Sequence, residues 1–347
     1  MKLILIKMKI KKHQAYKCLK FFYQTPGKKN VFQILYELII ISIYWKSIPY
    51  QYFQFSMFLK TSRLTISEMK NHISNRTFAQ IRGVSPYDII CNDKALFSDL
   101  MNYYNIPHPK VLFKYNAGVF YNFKNEILGD QVVDQIIKSC VCNKIFAKYT
   151  MGVCGANIKV YEKNHNFFSR ENDNLSALHI KSVFTDDFYI FQEGIEQHEI
   201  LSNLNSDSVN TIRILTKNNN GKISIIGAVL RMGRKGSMVD NASSGGIAVG
   251  IDINSGNLLG KARAYYDYNE YIKHPDSGVI FEGLKIPLWI EIVELAIRAS
   301  QTIFMKKYIG LDIVVTPLGP QILEMNTDPC LYLLQMGLGV GVANLIE

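Results

Sequence analysis

The chain has 347 residues, of which 48% are hydrophobic and 20% are charged. This is enough for about two domains and for a core that needs no disulfides, and the composition excludes disordered, collagen-like and disulfide-stapled proteins. The formal net charge is +10, but the first 36 residues hold nine lysines and no Asp, Glu or Arg. The rest of the chain therefore carries 30 basic and 29 acidic residues, which argues against a nucleic-acid-binding protein.

The six cysteines form no CxxC motif and show no Cys/His spacing of a zinc site. Only Cys140 and Cys142 lie close together in sequence. We therefore expect reduced thiols and a cytoplasmic protein.

The N-terminal region, residues 1–87, is basic and aromatic, and part of it has a helical pattern. The stretch VFQILYELIIISIYW at 31–45 is apolar but contains Gln33 and Glu37, and it is shorter than the roughly 20 residues that span a bilayer. It predicts an interfacial or core helix. With the lysines and an aromatic run, it also predicts peripheral contact with the inner face of a membrane through residues 1–60; a solvated lysine-rich leader is the open alternative.

From residue 88 onward, helical and strand patterns alternate. Asp93 is placed to cap a helix that runs to about Tyr103, and a long amphipathic helix is predicted at 288–308. A further helix is predicted at 132–142, and the predicted strands and hairpins are 110–113, 144–148, 157–161, 188–191, 209–231 and 309–326. This order predicts an α+β fold with antiparallel hairpins, and not a run of parallel βαβ units.

The last hairpin places polar residues in an apolar setting. A turn centred on Leu318 pairs Asp312 with Glu324, and Asn326 then faces the same side. Two opposed carboxylates repel each other unless a cation lies between them, and hard oxygen ligands select Mg²⁺ or Mn²⁺. The hairpin therefore predicts a divalent-metal site, with a solvated acidic face as the alternative.

Two other segments could bind a nucleotide. Lys148 ends a predicted strand and precedes a loop with Gly152 and Gly155, where backbone N–H groups can approach phosphate oxygens beside the lysine charge. The segment from Gln192 to Ile195 leaves another strand and can present backbone groups to a purine edge. Each signal is weak by itself.

Together, the segments resemble the ATP-grasp superfamily, and most closely the sugar-transfer-associated ATP-grasp proteins of polysaccharide biosynthesis loci. The resemblance rests on NDK at 92–94, QEGIEQHE at 192–199, SVNTIRI at 208–214, VDNASSGGIAVGID at 239–252 and GPQILEMNTDP at 319–329. It implies an ATP-grasp fold, with one subdomain at 88–191 and another at 192–347 behind the N-terminal region 1–87.

The resemblance also implies roles for site residues. The residues expected around ATP are Lys94, Lys148, Gly152 and Gly155 at the phosphates, Gln192, Glu193 and Ile195 at the adenine, and Glu199 at the ribose. The residues expected to hold two Mg²⁺ ions are Asp312, Glu324 and Asn326. The residues expected at the γ-phosphate and the acyl phosphate are Arg213, Arg231 and Asn241.

One position departs from the pattern of the resembled family. Some ATP-grasp ligases carry an arginine two residues before the first metal carboxylate, where this chain has Gly310. The stabilising charge must then come from Arg213 or Arg231. A tight hairpin would put those two arginines on opposite faces of the sheet, so a bulge is needed if both serve.

The function implied by the resemblance is an ATP-dependent carboxylate–amine ligase that works through an acyl phosphate. The expected acid is a uronic acid of a cell-surface polysaccharide, such as a capsule, or of its precursor, and the expected amine is an amino acid or a small amine. The alternatives are a catalytically inactive ATP-binding scaffold in glycan assembly and an ATP-dependent phosphotransferase. The presence of Lys94, Lys148, Asp312, Glu324 and Asn326 together favours an enzyme.

Overall fold

The computed structural model describes residues 16, 18–85, 88–152, 158–171, 173–185, 188–237, 240, 245–264 and 269–346. Within them the fold is α+β, as predicted. A helical segment at 18–24 comes first. The further helices are α1 (Val31–Trp45), α2 (Tyr50–Gln54), α3 (Ile66–Asn71), α4 (Asn75–Ile81), α5 (Asp88–Asn92), α6 (Lys94–Tyr103), α7 (Asp130–Ser139), α8 (Ala177–Val183), α9 (Glu199–Ser202), α10 (Trp289–Gln301), α11 (Leu331–Leu338) and α12 (Ala343–Ile346).

The strands form two sheets, and every pairing between the described strands is antiparallel. The first sheet has the order β3-β2-β1-β8-β4-β5-β6-β7, and the second has the order β13-β12-β11-β10-β9-β14-β15. The strands are β1 (Val111–Asn116), β2 (Val119–Tyr121), β3 (Ile127–Leu128), β4 (Lys144–Tyr149), β5 (Ile158–Asn164), β6 (Phe167–Arg170), β7 (Asp173–Asn174), β8 (Phe188–Glu193), β9 (Thr211–Asn219), β10 (Lys222–Met232), β11 (Ile247–Ile251), β12 (Leu258–Ala264), β13 (Glu270–Tyr271), β14 (Tyr308–Thr316) and β15 (Gly319–Asn326).

The second sheet is covered on both faces. Alternate residues of β9 and β10 pack against α10 on one face, and the intervening residues pack against α11 on the other. Every residue of β14 is consequently buried, which is why this strand reads as almost continuously apolar. Its one acidic residue, Asp312, is therefore held in a largely dry environment.

The helix after Asp93 forms as predicted, because the Asp93 side chain accepts hydrogen bonds from the N–H groups of Ala95 and Leu96 at 2.9 and 3.0 Å. The residues Phe97 and Met101 of this helix pack in the core of the second sheet. Segment 88–106 thus joins the second core, although the sequence interpretation grouped it with the first subdomain. The subdomain boundaries themselves stay a prediction.

The helix predicted at 288–308 is shorter than expected. Helix α10 ends at Gln301, and a turn leads into β14, which begins at the fully buried Tyr308. The apolar residues at 308 and beyond are needed for strand pairing with β9, and this tertiary pairing overrides the helical pattern.

Residues 18–81 form an N-terminal helical layer with a core of its own, which includes Ile34, Ile41 and Tyr52. The stretch 31–45 is the 15-residue helix α1, as predicted. Both polar ends of the Gln335 amide hydrogen-bond to the backbone of Ile73 at 2.9 Å and tie this layer to α11. Among the described helices, none combines the length and the apolar character needed to cross a bilayer.

Candidate active site

The last hairpin pairs Asp312 with Glu324, as predicted. The turn is one residue tighter than expected, because Thr316 pairs with Gly319. A register shift beyond Ile322 leaves Leu323 as an extra residue and restores the predicted pairing. The two carboxylates therefore lie directly opposite each other across neighbouring strands.

Both candidate arginines reach Asp312. A register shift at Ile226 in β10 brings Val229 opposite Arg213, so Arg231, two residues further, shares the face of Arg213. Arg213 donates to both carboxylate oxygens of Asp312 through Nε and Nη2, the latter at 2.7 Å, and Arg231 donates through Nη1 at 2.8 Å. The bulge that the sequence required is present, and two guanidinium groups converge on one carboxylate.

A second carboxylate extends this network. Arg231 Nη2 donates to Asp240 Oδ1 at 2.9 Å, and the backbone N–H and the hydroxyl of Thr211 donate to Asp240 Oδ2. Burial raises the pKa of Asp240, and the positive charge of Arg231 opposes that rise. Nothing in the local sequence pattern of Asp240 shows that it lies beside β9 and β10.

Asp312 keeps its charge in spite of burial. Dehydration raises its pKa, but the guanidinium groups of Arg213 and Arg231 outweigh this effect and hold its pKa below the ordinary value. Arg213 lies directly opposite Asp312 on β9. Its side chain also passes beside Gly310, since Arg213 Cδ lies 3.7 Å from the place of a Cβ at that glycine. A Cβ at Gly310 would lie 2.7 Å from a carbon of Pro329, so that position has no room for a side chain.

Two lysines lie near Glu324. Lys94 Nζ donates to the carbonyl oxygen of Gly152, and Lys148 Nζ donates to Gln192 Oε1 at 2.6 Å. Burial lowers the pKa of Lys148 to about 8, the ammonium group of Lys94 adds to this, and Glu324 opposes it. Burial also lowers the pKa of Lys94, again opposed by Glu324. Partial dehydration by the surrounding protein atoms raises the pKa of Glu324, and the negative charge of Asp312 adds to this. The Glu324 side chain nevertheless remains open to solvent.

A cavity of about 1000 Å³ is lined by residues of both sheets. The predicted site residues that line it are Lys94, Lys148, Gly152, Gln192, Glu193, Ile195, Glu199, Arg231, Asp312 and Glu324. Arg213 touches Asp312 without lining the cavity, and Asn326 does not line it either. Gly155 and Asn241 lie outside the described residues. The cavity therefore gathers the candidate phosphate, adenine and metal residues in one place, with Asp207 and Ser208 as further lining residues that the sequence interpretation did not select.

The end of β8 and the residues that follow it form one wall of the cavity. The Gln192 amide is held by Lys148 and by the carbonyl oxygen of Pro109, to which its Nε2 donates at 2.9 Å. Gly194 packs against β4 so closely that a Cβ would lie 2.8 Å from the carbonyl oxygen of Lys144. Because the Gln192 side chain is engaged, recognition of a purine edge here would fall to the backbone around Ile195.

The candidate metal ligands fit a hard divalent cation that is also coordinated by water or phosphate oxygens. Asp312 accepts three hydrogen bonds, which leaves one of its roughly four lone-pair positions open. Glu324 accepts no hydrogen bond from the described residues, so its carboxylate oxygens are open to a cation. No cluster of three or more His, Cys, Asp or Glu side chains forms a metal site in the described part of the chain. This incomplete oxygen set suits Mg²⁺, which commonly takes its remaining ligands from water and phosphates.

Comparison with known proteins gives a family match. A family described as sugar-transfer associated ATP-grasp matches residues 84–347. Among solved structures, the chain is similar to D-alanine–D-alanine ligase from Bacillus anthracis, with 14% identity over 74% of this chain and 61% of that one and a TM-score of 0.38. It is also similar to biotin carboxylase from Campylobacter jejuni, with 14% identity over 74% of this chain and 45% of that one and a TM-score of 0.44. The chain spans less than two thirds of either protein. A search of curated proteins found no match.

Proposed function

The chain belongs to the sugar-transfer associated ATP-grasp family, and on this premise we propose that it is an ATP-dependent ligase that joins a carboxylate to an amine. The observation that carries the proposal is the cavity in which Lys94 and Lys148 lie near the opposed carboxylates Asp312 and Glu324. Cations placed for phosphates and oxygen ligands placed for a metal are the two elements that a metal–nucleotide complex requires.

Each group has a proposed task. The two lysines bind the ATP phosphates, the backbone near Ile195 meets the adenine, and Glu199 meets the ribose. Asp312, Glu324 and Asn326 would hold two Mg²⁺ ions, or Mn²⁺ in their place, and the metal supplies positive charge that neutralises the phosphates. Arg213 and Arg231 place further positive charge near the reacting groups.

The proposed reaction has two steps. A carboxylate oxygen of the acid attacks the γ-phosphorus of ATP, the bond from that phosphorus to the β-phosphate oxygen breaks, and ADP leaves. The amine nitrogen then attacks the acyl carbon, the bond to the phosphate oxygen breaks, inorganic phosphate leaves, and the amine proton passes to solvent. Activation is needed because a free carboxylate is a poor electrophile.

The substrates are proposed from the family. Its description associates the members with sugar transfer, which supports a uronic acid of a cell-surface polysaccharide, such as a capsule, or of its precursor. The amine would be an amino acid or another small amine.

Trapping of the acyl phosphate tests the proposal. The purified chain is incubated with Mg²⁺, ATP, hydroxylamine and a panel of uronic acids, and hydroxamate and phosphate are measured. We expect hydroxamate from the wild type, none from Glu324→Gln, and wild-type amounts from Glu291→Gln, which changes an exposed carboxylate on α10.

Other outcomes identify the alternatives. Formation of ADP and a phosphorylated alcohol, without hydroxamate, would instead establish a phosphotransferase. Binding of ATP without turnover, for every acid and for a glycan-loaded membrane fraction, would establish the scaffold function.

A further inference from the structure

Helix α1 has an unusual distribution of polarity. Its single charged residue, Glu37, faces inward, where it accepts hydrogen bonds from Lys29 Nζ at 2.9 and 3.0 Å and from the Tyr52 hydroxyl at 2.5 Å. Lys29 and Glu37 are both buried. The charge that would normally mark the solvent side of a surface helix is therefore neutralised inside the N-terminal helical layer.

The outward face of α1 is apolar. This face, which we call the α1 face, consists of side chains at helical spacing, all of them more than half exposed: Phe32, Leu35, Tyr36, Ile39 and Ile43. Phe32 is 86% exposed and Ile43 is 70% exposed. Single exposed apolar residues are ordinary, but a continuous row on one helix marks a surface that binds something.

The part of the sequence that contains α1 is basic. Residues 1–67 hold eleven lysines and one arginine, and Glu37 is their only acidic residue. Lys46 follows the helix directly as its exposed C-cap, and Lys70 lies on the flank of the helix with its Nζ 5.1 Å from the ring centre of Tyr44. An apolar row bordered by lysines matches the two layers of an anionic membrane surface, with acyl chains below and negative headgroups above.

We propose that the α1 face binds an anionic lipid bilayer, with the helix lying in the interface. At 15 residues, α1 is about 22 Å long, which is shorter than the ~30 Å hydrocarbon core that a spanning helix must cross. A second copy of the chain fits the surface less well, because a two-fold symmetric interface would bring the same lysine-rich region against itself. The proposal is independent of the ligase function.

Flotation of the full chain with vesicles tests this proposal. The vesicles contain neutral phosphatidylcholine with or without anionic phosphatidylglycerol. The α1-face variant is Ile39→Ser with Ile43→Ser, and the matched control is Ile290→Ser with Phe304→Ser, which removes two apolar side chains elsewhere that are at least as exposed. Thermal unfolding shows whether each variant is folded.

We expect the wild type to float with the anionic vesicles. Partitioning onto these vesicles should fall at least about 10-fold in the α1-face variant and less than about 2-fold in the control. Partitioning of the wild type should also fall when salt is raised from about 0.1 to about 0.5 M.

Three results would overturn the proposal. They are full binding by the folded α1-face variant, an equal loss in both variants, and no vesicle binding by a wild type that forms dimers through the α1 face.

Discussion

Raising the pH is expected to weaken ATP binding, because it removes the proton from Lys148. Burial beside Lys94 lowers the pKa of Lys148 to about 8 in the free protein. A bound phosphate favours the charged form and raises that pKa again. Binding is therefore strong while the lysine is protonated, and it weakens as the pH rises through about 8.

The size of the effect follows from the titration. The protonated fraction of Lys148 in the free protein falls from about nine tenths at pH ~7 to about one half at pH ~8 and about one tenth at pH ~9. If the bound state keeps the proton throughout, the association constant falls in proportion. The expected loss relative to pH ~7 is about 2-fold at pH ~8 and about 10-fold at pH ~9.

Calorimetric titration with a non-hydrolysable ATP analogue and Mg²⁺ at constant ionic strength measures this profile. Lys148→Arg should remove the part of the fall centred near pH ~8, because a guanidinium stays charged. Lys159→Arg is the control: burial also lowers the pKa of Lys159, but its Nζ lies over the Phe184 ring and away from the cavity lining. A flat wild-type profile, or an unchanged fall in Lys148→Arg, would refute the reasoning.

Three further predictions concern the free energy of unfolding, which chemical denaturation measures. Each cost is the expected decrease in that free energy. Arg213→Met should cost about 3–5 kcal/mol and abolish activity, because it removes one of the two guanidinium groups that neutralise the buried Asp312. Gly310→Ala should cost about 1–3 kcal/mol, because the methyl group would press on a proline ring. Glu37→Gln should cost about 3–5 kcal/mol by leaving the buried Lys29 without its carboxylate.

An exposed ion pair provides the control for these variants. Glu162→Gln removes a carboxylate that lies 2.8 Å from Lys144 at the surface, and it should change the free energy of unfolding by less than about 1 kcal/mol. If Arg213→Met or Glu37→Gln cost no more than this control, the buried pairs would not contribute as proposed. Wild-type stability of Gly310→Ala would show that Pro329 moves aside.

The sequence predicted the pairing of residues within a hairpin better than the contacts between a hairpin and other segments. The pairing of Asp312 with Glu324 followed from the turn, and it held because the bulge at Leu323 compensates for a turn that is one residue tighter. The sequence also predicted that a bulge is needed between Arg213 and Arg231 if both are to serve, but it did not show that the bulge lies at Ile226. The role of Asp240 depends on how a distant segment folds over β9 and β10, and no local pattern encodes that contact.

The direction in which the Glu37 side chain points could not be predicted from the sequence either. The pattern of residues 31–45 predicted a helix, but it could not show which way Glu37 faces, because the residues around Glu37 on the helix are apolar except for Gln33. Its inward orientation depends on Lys29 and Tyr52, which come from other parts of the N-terminal helical layer.

The bulge at Ile226 divides the β9–β10 hairpin into parts with different tolerance to insertion. The turn at Asn220 and Gly221 is exposed and lies beyond the bulge, so residues added there leave the pairing of Arg213 with Val229 unchanged. One residue added or lost between the bulge and Arg231 would turn that arginine to the opposite face. A fluorescent label or an affinity tag could therefore be placed in the turn, whereas homologues that differ in length within β10 would need a compensating change to keep both arginines on Asp312.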